Sequence, residues 1–161
     1  MQIYLLRHAI AEPSRPGLRD PDRALTPEGS EKLVRVLRCA RRAGVEPDVI
    51  LSSPYRRAIE TAQAAAETLG YTGKIVQTQA LTPDAAPQNA WDEIRNRGED
   101  AAVLVASHEP LTSSLAAFLL DSPPLRIDMK KAALMRIDCE RSGSVPSGTL
   151  KWMLTPGLVG A

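Results

Sequence analysis

Short apolar stretches that alternate with helical repeats constrain this chain most. Ile3 to Leu6, Asp48 to Leu51, Lys74 to Gln77 and Ala101 to Ala106 read as strands, and each is followed by a segment of helical spacing. Thr26-Pro27-Glu28 opens the first helix: Thr26 caps it, Pro27 suits its first position and Glu28 complements the dipole. Leu33, Leu37 and Ala40 form its buried face, and Gly44 stops it. Ser52-Ser53-Pro54 starts the second, with Ala58, Ala62, Ala65 and Leu69 inward and Gly70 at its end. The third follows Thr82-Pro83-Asp84 and covers Gln88 to Arg97. The fourth carries Leu111, Leu115, Phe118 and Leu119 and is broken by Asp121 to Pro124. Ala132 to Asp138 and Thr149 to Leu154 are two final strands joined through the Ser/Gly-rich turn Arg141 to Gly148. The order β-α-β-α-β-α-β-α-β-β predicts a three-layer α/β/α sandwich with a mainly parallel sheet, with room for an antiparallel edge in its last two strands.

A length of 161 residues suits one domain, expected over 1–154, with a loose C-terminal tail over 155–161. Aromatic residues make up only 4%, so the core must come from Leu, Val, Ile and Ala. A net charge of +1 argues against a nucleic-acid partner. No apolar run reaches the roughly 20 residues that cross a membrane. Met1-Gln2 leads straight into a strand with no charged-then-apolar leader, so a cytoplasmic location is expected. Cys39 and Cys139 lack metal or redox spacing; Cys39 reads as a small core or boundary residue. The arginines at 35, 38, 41 and 42 read as a solvated helix face.

Three strand ends carry polar residues: Arg7-His8, Ser52-Ser53 with Arg56-Arg57 just beyond, and Ser107-His108-Glu109. Ligands of open α/β sheets bind outside the carboxyl ends of the strands. The second and third of these ends run into helices, whose N-termini favour an anion. The chain's two histidines are His8 and His108, and both are in this set. An imidazole can attack phosphorus while guanidinium groups hold the phosphoryl oxygens in bidentate fashion. Two histidines and two arginines converging on one dianion make a phosphoryl-transfer site driven by positioning and electrostatics. A hydrolytic metal needs a richer ligand cluster, so neither metal nor other cofactor is expected.

These residues resemble the signatures of the histidine phosphatase, or phosphoglycerate mutase-like, superfamily. Leu6-Arg7-His8 is similar to its "RHG" signature, and Leu25-Thr26-Pro27-Glu28-Gly29 to its "LTxxG" helix opening. Ser52 to Ala62 is similar to "SSPxxRAxxTA", and Ser107-His108-Glu109-Pro110 to the second-histidine motif. The short chain, with little between the second and third motifs, looks most like the SixA branch, the phosphohistidine phosphatases. The resemblance implies that His8 is the nucleophile that forms a phosphohistidine intermediate. It implies that Arg7 and Arg57 clamp the phosphoryl group and that His108 stabilises the transition state. Arg57 is taken rather than Arg56 because Ala58 follows it. Ser52, Arg23, Ser14 and Glu109 are further pocket candidates. The implied partner is a phosphorylated protein of a phosphorelay or phosphotransferase system.

Two departures stand out. Ala9 replaces the usual glycine, which is expected to tighten the backbone beside His8. The acid that protonates an alkoxide leaving group in larger relatives has no marked position; Glu109, Glu12 and Asp20 are the candidates. Phosphohistidine has a labile P–N bond and needs less acid help than an ester, which favours it as substrate. A small-metabolite phosphomonoesterase and a non-catalytic phosphohistidine or phosphopeptide-binding module are the alternatives.

Overall fold

The computed structural model describes residues 1–98, 101–140 and 144–160. Six strands, β1 (Gln2–Arg7), β2 (Val49–Ser52), β3 (Val76–Gln77), β4 (Ala102–Ser107), β5 (Leu134–Glu140) and β6 (Ser147–Leu154), form one sheet in the order β3-β2-β4-β1-β5-β6. The pairs β1–β4, β2–β4 and β2–β3 are parallel; β5 runs antiparallel to β1, and β6 antiparallel to β5. The antiparallel edge therefore lies in the last two strands.

Helices α1 (Pro27–Arg42) and α2 (Arg56–Leu69) cover one face, and α3 (Pro87–Arg95) and α4 (Leu111–Leu119) the other. The alternation of side chains along β1 makes this possible. Ile3 and Leu5 join Trp91, Ile94 and Leu115 on the α3/α4 side, whereas Tyr4 and Leu6 join Leu33, Leu37 and Ala62 on the α1/α2 side. Ile3, Leu5, Leu6, Leu33 and Leu37 are fully buried, each contributing roughly 1.5–3 kcal/mol of apolar transfer. The chain moves one way across the sheet from β1 to β3 and the other way from β4 to β5, which leaves a switch point around β1 and β4.

Helix boundaries follow the local signals closely. Thr26 Oγ1 accepts from the Gly29 N–H at 3.0 Å, as a cap should, and Gly70 takes the left-handed conformation that ends α2. Gly29 has a further purpose. A Cβ there would collide with the Ile10 carbonyl, so only glycine lets α1 sit against the segment that follows β1.

Several boundaries differ from the sequence reading, among them β6, which begins at Ser147 within the expected turn rather than at Thr149, and α3, which ends at Arg95 rather than Arg97. Helix α2 begins at Arg56 rather than at Ser52-Ser53-Pro54, because the Ser53 hydroxyl caps a turn by accepting from the Tyr55 N–H at 3.3 Å. Strand β3 is only Val76–Gln77; Tyr71 Oη donates to the Lys74 carbonyl and takes it out of strand pairing. Strand β5 begins at Leu134, because Ala132 adopts φ +61° and gives its N–H to the His8 carbonyl instead. The expected loose tail turns back: Leu158 and Val159 donate to the Thr155 carbonyl, and Val159 packs against the α1/α2 core. Part of the expected turn from Arg141 to Gly148, residues 141–143, lies outside the described residues, as does Ala161. Cys39 and Cys139 are both free thiols. Among the described residues no helix is long and apolar enough to cross a membrane.

Candidate functional site

The sheet order brings the three polar strand ends side by side. Strand β4 lies between β2 and β1, with Arg7 in register with Ser107 and Ser52 with Ala106. The ladder continues one residue beyond the strands: His8 N–H donates to the Ser107 carbonyl at 2.9 Å, and Ser53 N–H to the Ala106 carbonyl at 3.0 Å. His8 and Ser53 are thus pinned on either side of the end of β4, which itself delivers His108. The two imidazole rings lie 5.0 Å apart. Both are buried.

His8 Nδ1 sits 2.7 Å from the Ala9 carbonyl. A carbonyl oxygen can only accept, so Nδ1 carries the proton. Burial pushes the His8 pKa down to about 4; the Ala9 hydrogen bond opposes this, and the charges of Arg57, Arg7 and Lys131 reinforce it. The ring is therefore neutral near pH 7, and Nε2 presents a bare lone pair.

His108 is held through its other ring nitrogen. Its Nε2 is 2.8 Å from Ser53 Oγ, which already accepts from the Tyr55 N–H. A hydroxyl oxygen accepts up to two hydrogen bonds, so this contact forms either with Nε2–H donating to Ser53, or with Ser53 donating to Nε2 and the ring proton on Nδ1. Burial, followed by the proximity of His8 and Arg57, lowers its pKa to about 3. The neutral ring has one N–H, and its Nδ1 is buried with no partner among the described residues.

Arg57 enters from the first turn of α2 and is 4% exposed. Its Nη1 donates to the Asp20 carbonyl at 2.7 Å and its Nη2 to Asp20 Oδ2 at 3.1 Å. The Tyr55 ring lies 5.1 Å from its guanidinium carbon and edge-on to His108. Arg7 donates through Nη1 to the Met129 carbonyl at 2.6 Å. The Nε atoms of both arginines are buried and unpartnered. Of four such side-chain atoms among the described residues, three belong to Arg7, Arg57 and His108. Each idle buried donor costs roughly 1–3 kcal/mol, and an oxyanion with several acceptor oxygens relieves that cost.

The remaining candidates divide. Ser52 is buried, but its hydroxyl donates to the Ser53 carbonyl at 2.8 Å, a turn-stabilising bond. Arg23 reaches the site only through Asp20, with its Nη2 2.8 Å from Oδ1. Ser14 is exposed in the loop before the 3-10 turn Asp20–Asp22. Glu109 takes both the Ser113 N–H and the Ser113 hydroxyl, and so is spent as a helix-end acceptor. Glu12 accepts from the Ala24 N–H. Desolvation acts to raise the Asp20 pKa, but the hydrogen bonds and charges of Arg57 and Arg23 outweigh it and hold the carboxyl below its ordinary range. Ala9 adopts no left-handed φ, and its methyl packs into the α1/α2 core, so the expected tightening is not seen as strain.

Ser53 and Thr61 emerge from the structure without a role assigned from sequence. Thr61 Oγ1 accepts from the Ala9 N–H at 3.2 Å and donates to the Arg57 carbonyl at 2.7 Å, tying the His8 segment to α2. The signal was there: both residues sit inside the Ser52 to Ala62 motif. Among the described residues no three His, Cys, Asp or Glu side chains converge as a metal site.

Comparison with known proteins places this geometry. Residues 3–82 match the family model of the histidine phosphatase superfamily (branch 1). Phosphohistidine phosphatase SixA of Escherichia coli (strain K12) is 28% identical over 160 residues, covering 97% of this chain and 94% of that one. An uncharacterized protein of Picosynechococcus sp. is 30% identical over 146 residues, covering 89% and 87%. The structure of the protein histidine phosphatase SixA complexed with tungstate superposes with a TM-score of 0.86 at 26% identity over 99% of both chains.

Proposed function

This chain belongs to the histidine phosphatase superfamily, in its SixA-like branch, and from that premise we propose that it removes phosphate from phosphohistidine on a protein, through a covalent intermediate on His8 and without a metal. The observation that carries this reading is the set of buried, unpartnered polar atoms gathered around a neutral His8. His8 offers Nε2 as a nucleophile, Arg7 Nε and Arg57 Nε are buried donors without acceptors, and His108, with Ser53 donating to its Nε2, adds a third donor at its unpartnered Nδ1.

In the first step the His8 Nε2 lone pair forms a bond to phosphorus. The substrate P–N bond breaks, and its electron pair goes to the substrate imidazole. That imidazole leaves neutral when its other nitrogen carries a proton, so no enzyme acid is required. The new phosphohistidine keeps its Nδ1–H on the Ala9 carbonyl and is a cationic leaving group. In the second step water attacks phosphorus, the P–Nε2 pair returns to His8, and the water proton passes to phosphate or solvent. Arg7, Arg57 and His108 hold the equatorial oxygens throughout. The state of the acid candidates supports this substrate. Glu109 and Glu12 are engaged by local backbone groups, and Asp20 is held ionised by two arginines. A phosphate ester would need one of them protonated at its leaving oxygen.

The test is phosphate release, with EDTA present, from a phosphohistidine-bearing protein and from p-nitrophenyl phosphate. Wild type should release phosphate rapidly from the first and slowly from the second. His8→Ala should lower the rate by roughly ten-thousand-fold. Base-quenched wild type should carry phosphate on His8. A strong preference for the ester, or turnover that survives His8→Ala, refutes the reading.

A further inference from the structure

A groove of 620 Å³ opens beside Arg7, lined among others by Ile10, Lys32, Lys130, Lys131 and Pro156. A second hollow of 300 Å³ shares Lys32 and Pro156 with it and adds Arg35. Together they make a trough that starts at a phosphoryl-handling arginine and leads away along the first turns of α1. It is too large for the phosphoryl group alone and falls in the range of sites that take a larger ligand. Among the described residues its lining contains five cations and no Asp or Glu.

The cationic wall is held firmly. Met129 takes the Arg7 guanidinium through its carbonyl, and Ala132, at φ +61°, gives its N–H to the His8 carbonyl. Lys130 and Lys131 lie between these two backbone anchors, which set their main chain beside the catalytic edge. An alanine kept in the left-handed region costs energy, which the two anchors sustain. Lys131 has no carboxylate within ion-pair range among the described residues. Lys32, Arg35 and Lys130 pair with Glu28, Glu31 and Asp128, whose side chains are 66–77% exposed. Such pairs are weak and exchange readily for a partner's carboxylates. The floor, by contrast, is apolar at Ile10, Ala132 and Pro156.

Resting on the phosphohistidine reading, we propose that this trough is the docking surface for the chain that flanks the phosphohistidine in the substrate protein, and that it selects an acidic flank. The charge decides the occupant: a basic flank would face Arg7, Lys32, Lys130 and Lys131 with no carboxylate in the lining to meet it. Contiguity decides the location, because Arg7 belongs both to the trough and to the oxyanion site.

The test uses three substrates phosphorylated by phosphoramidate: phosphoimidazole, a single-histidine peptide with glutamates on both sides, and the same peptide with lysines instead. The expected kcat/KM favours the glutamate peptide over the lysine peptide by about tenfold at low salt, and the gap narrows at 0.5 M salt. In the double variant Lys32→Glu, Lys131→Glu, the ratio of glutamate peptide to phosphoimidazole should fall by about fivefold or more, and the lysine peptide should gain. Turnover of phosphoimidazole with the two peptides equal, or an unchanged ratio in the variant, overturns the trough alone. No turnover of phosphoimidazole or of either peptide overturns the phosphohistidine reading and the trough with it.

Discussion

Two regions meet at Arg57, and they are built differently. Below it is the edge formed by β1, β4 and β2, where His8, Ser53 and His108 are buried and pinned by sheet register. Above it is the segment from Glu12 to Arg23, which closes through the Ala11–Leu25 bridge and offers Asp20 to the guanidinium. The lower region is low in dielectric and has idle donors; the upper is half-exposed and its charges are paired with one another. Charge is worth far more in the first setting than in the second. The chemistry should therefore depend steeply on the strand-end residues and only mildly on the loop that covers them.

The largest effect that separates the regions is a pair of arginine deletions. Arg57→Ala should lower kcat/KM by about 10²–10³-fold, the loss typical of a preorganised donor to a developing charge. Arg23→Ala should lower it less than about threefold, since Arg23 reaches the site only through the exposed Asp20 carboxylate and otherwise holds the Glu12 carbonyl within the loop. Steady-state kinetics on phosphoimidazole decide it. Equal losses would mean that the loop belongs to the catalytic apparatus and that the division drawn above is wrong.

Next is a pH effect confined to the lower region. The chain's two histidines have folded pKa values of about 4 and about 3, below the ordinary 6.5, chiefly because both are buried. The unfolded chain takes up these protons first as pH falls. Stability is therefore complete above about pH 6.5 and is lost as pH drops through 6 toward 4, by up to about 3 kcal/mol for each ring. Urea midpoints between pH 7 and 4.5 measure the slope. The double variant His8→Ala, His108→Ala should flatten it; an unchanged slope would mean that carboxylates elsewhere carry the acid sensitivity.

The same division explains what could be read from the sequence. Strand-end residues carry strong local signals: an apolar run, then a charge or a hydroxyl, then a helix start. Arg7-His8, Ser52-Ser53 and Ser107-His108 were legible for that reason, and so was the layering, through the alternation of Ile3, Tyr4, Leu5 and Leu6. That β4 lies between β1 and β2 was not legible, because strand order depends on which helix crosses which face. Nor was the choice between neighbouring serines. Ser52 and Ser53 are equivalent as letters, yet the pleat and the turn send one hydroxyl to a backbone carbonyl and the other to His108. The positions of Ser14 and Arg23 were not legible either, since they are set by how the segment from Glu12 to Arg23 folds.

Ser53 gives the sharper test within the lower region. With Ser53→Ala, His108 Nε2 loses its hydrogen-bond partner and the proton no longer has a fixed nitrogen. Activity on phosphoimidazole should fall about tenfold, as expected for the loss of about 1.4 kcal/mol of orientation. The ¹⁵N shifts of His108 should move from an Nδ1–H tautomer toward a mixture, whereas those of His8 stay put. Ser53→Thr, which keeps the hydroxyl, should recover much of the rate. A drop in activity with no tautomer change would assign Ser53 to packing alone.

The smallest effect is expected where the two regions touch. Asp20→Asn keeps the backbone carbonyl that accepts from Arg57 Nη1 and retains a side-chain oxygen for Nη2, but removes the charge. A carboxylate beside Arg57 competes with the phosphoryl group for the same cation, and it also holds that cation in place. These two consequences oppose one another in binding and in turnover. Loss of the competing charge should lower KM by about twofold to threefold, and loss of restraint should lower kcat by a similar factor. The net change in kcat/KM is then near zero while both parameters move. Isothermal titration with inorganic phosphate should show the tighter binding directly. If kcat falls by a hundredfold instead, Asp20 takes part in proton transfer, and the loop, not the strand ends alone, carries the reaction.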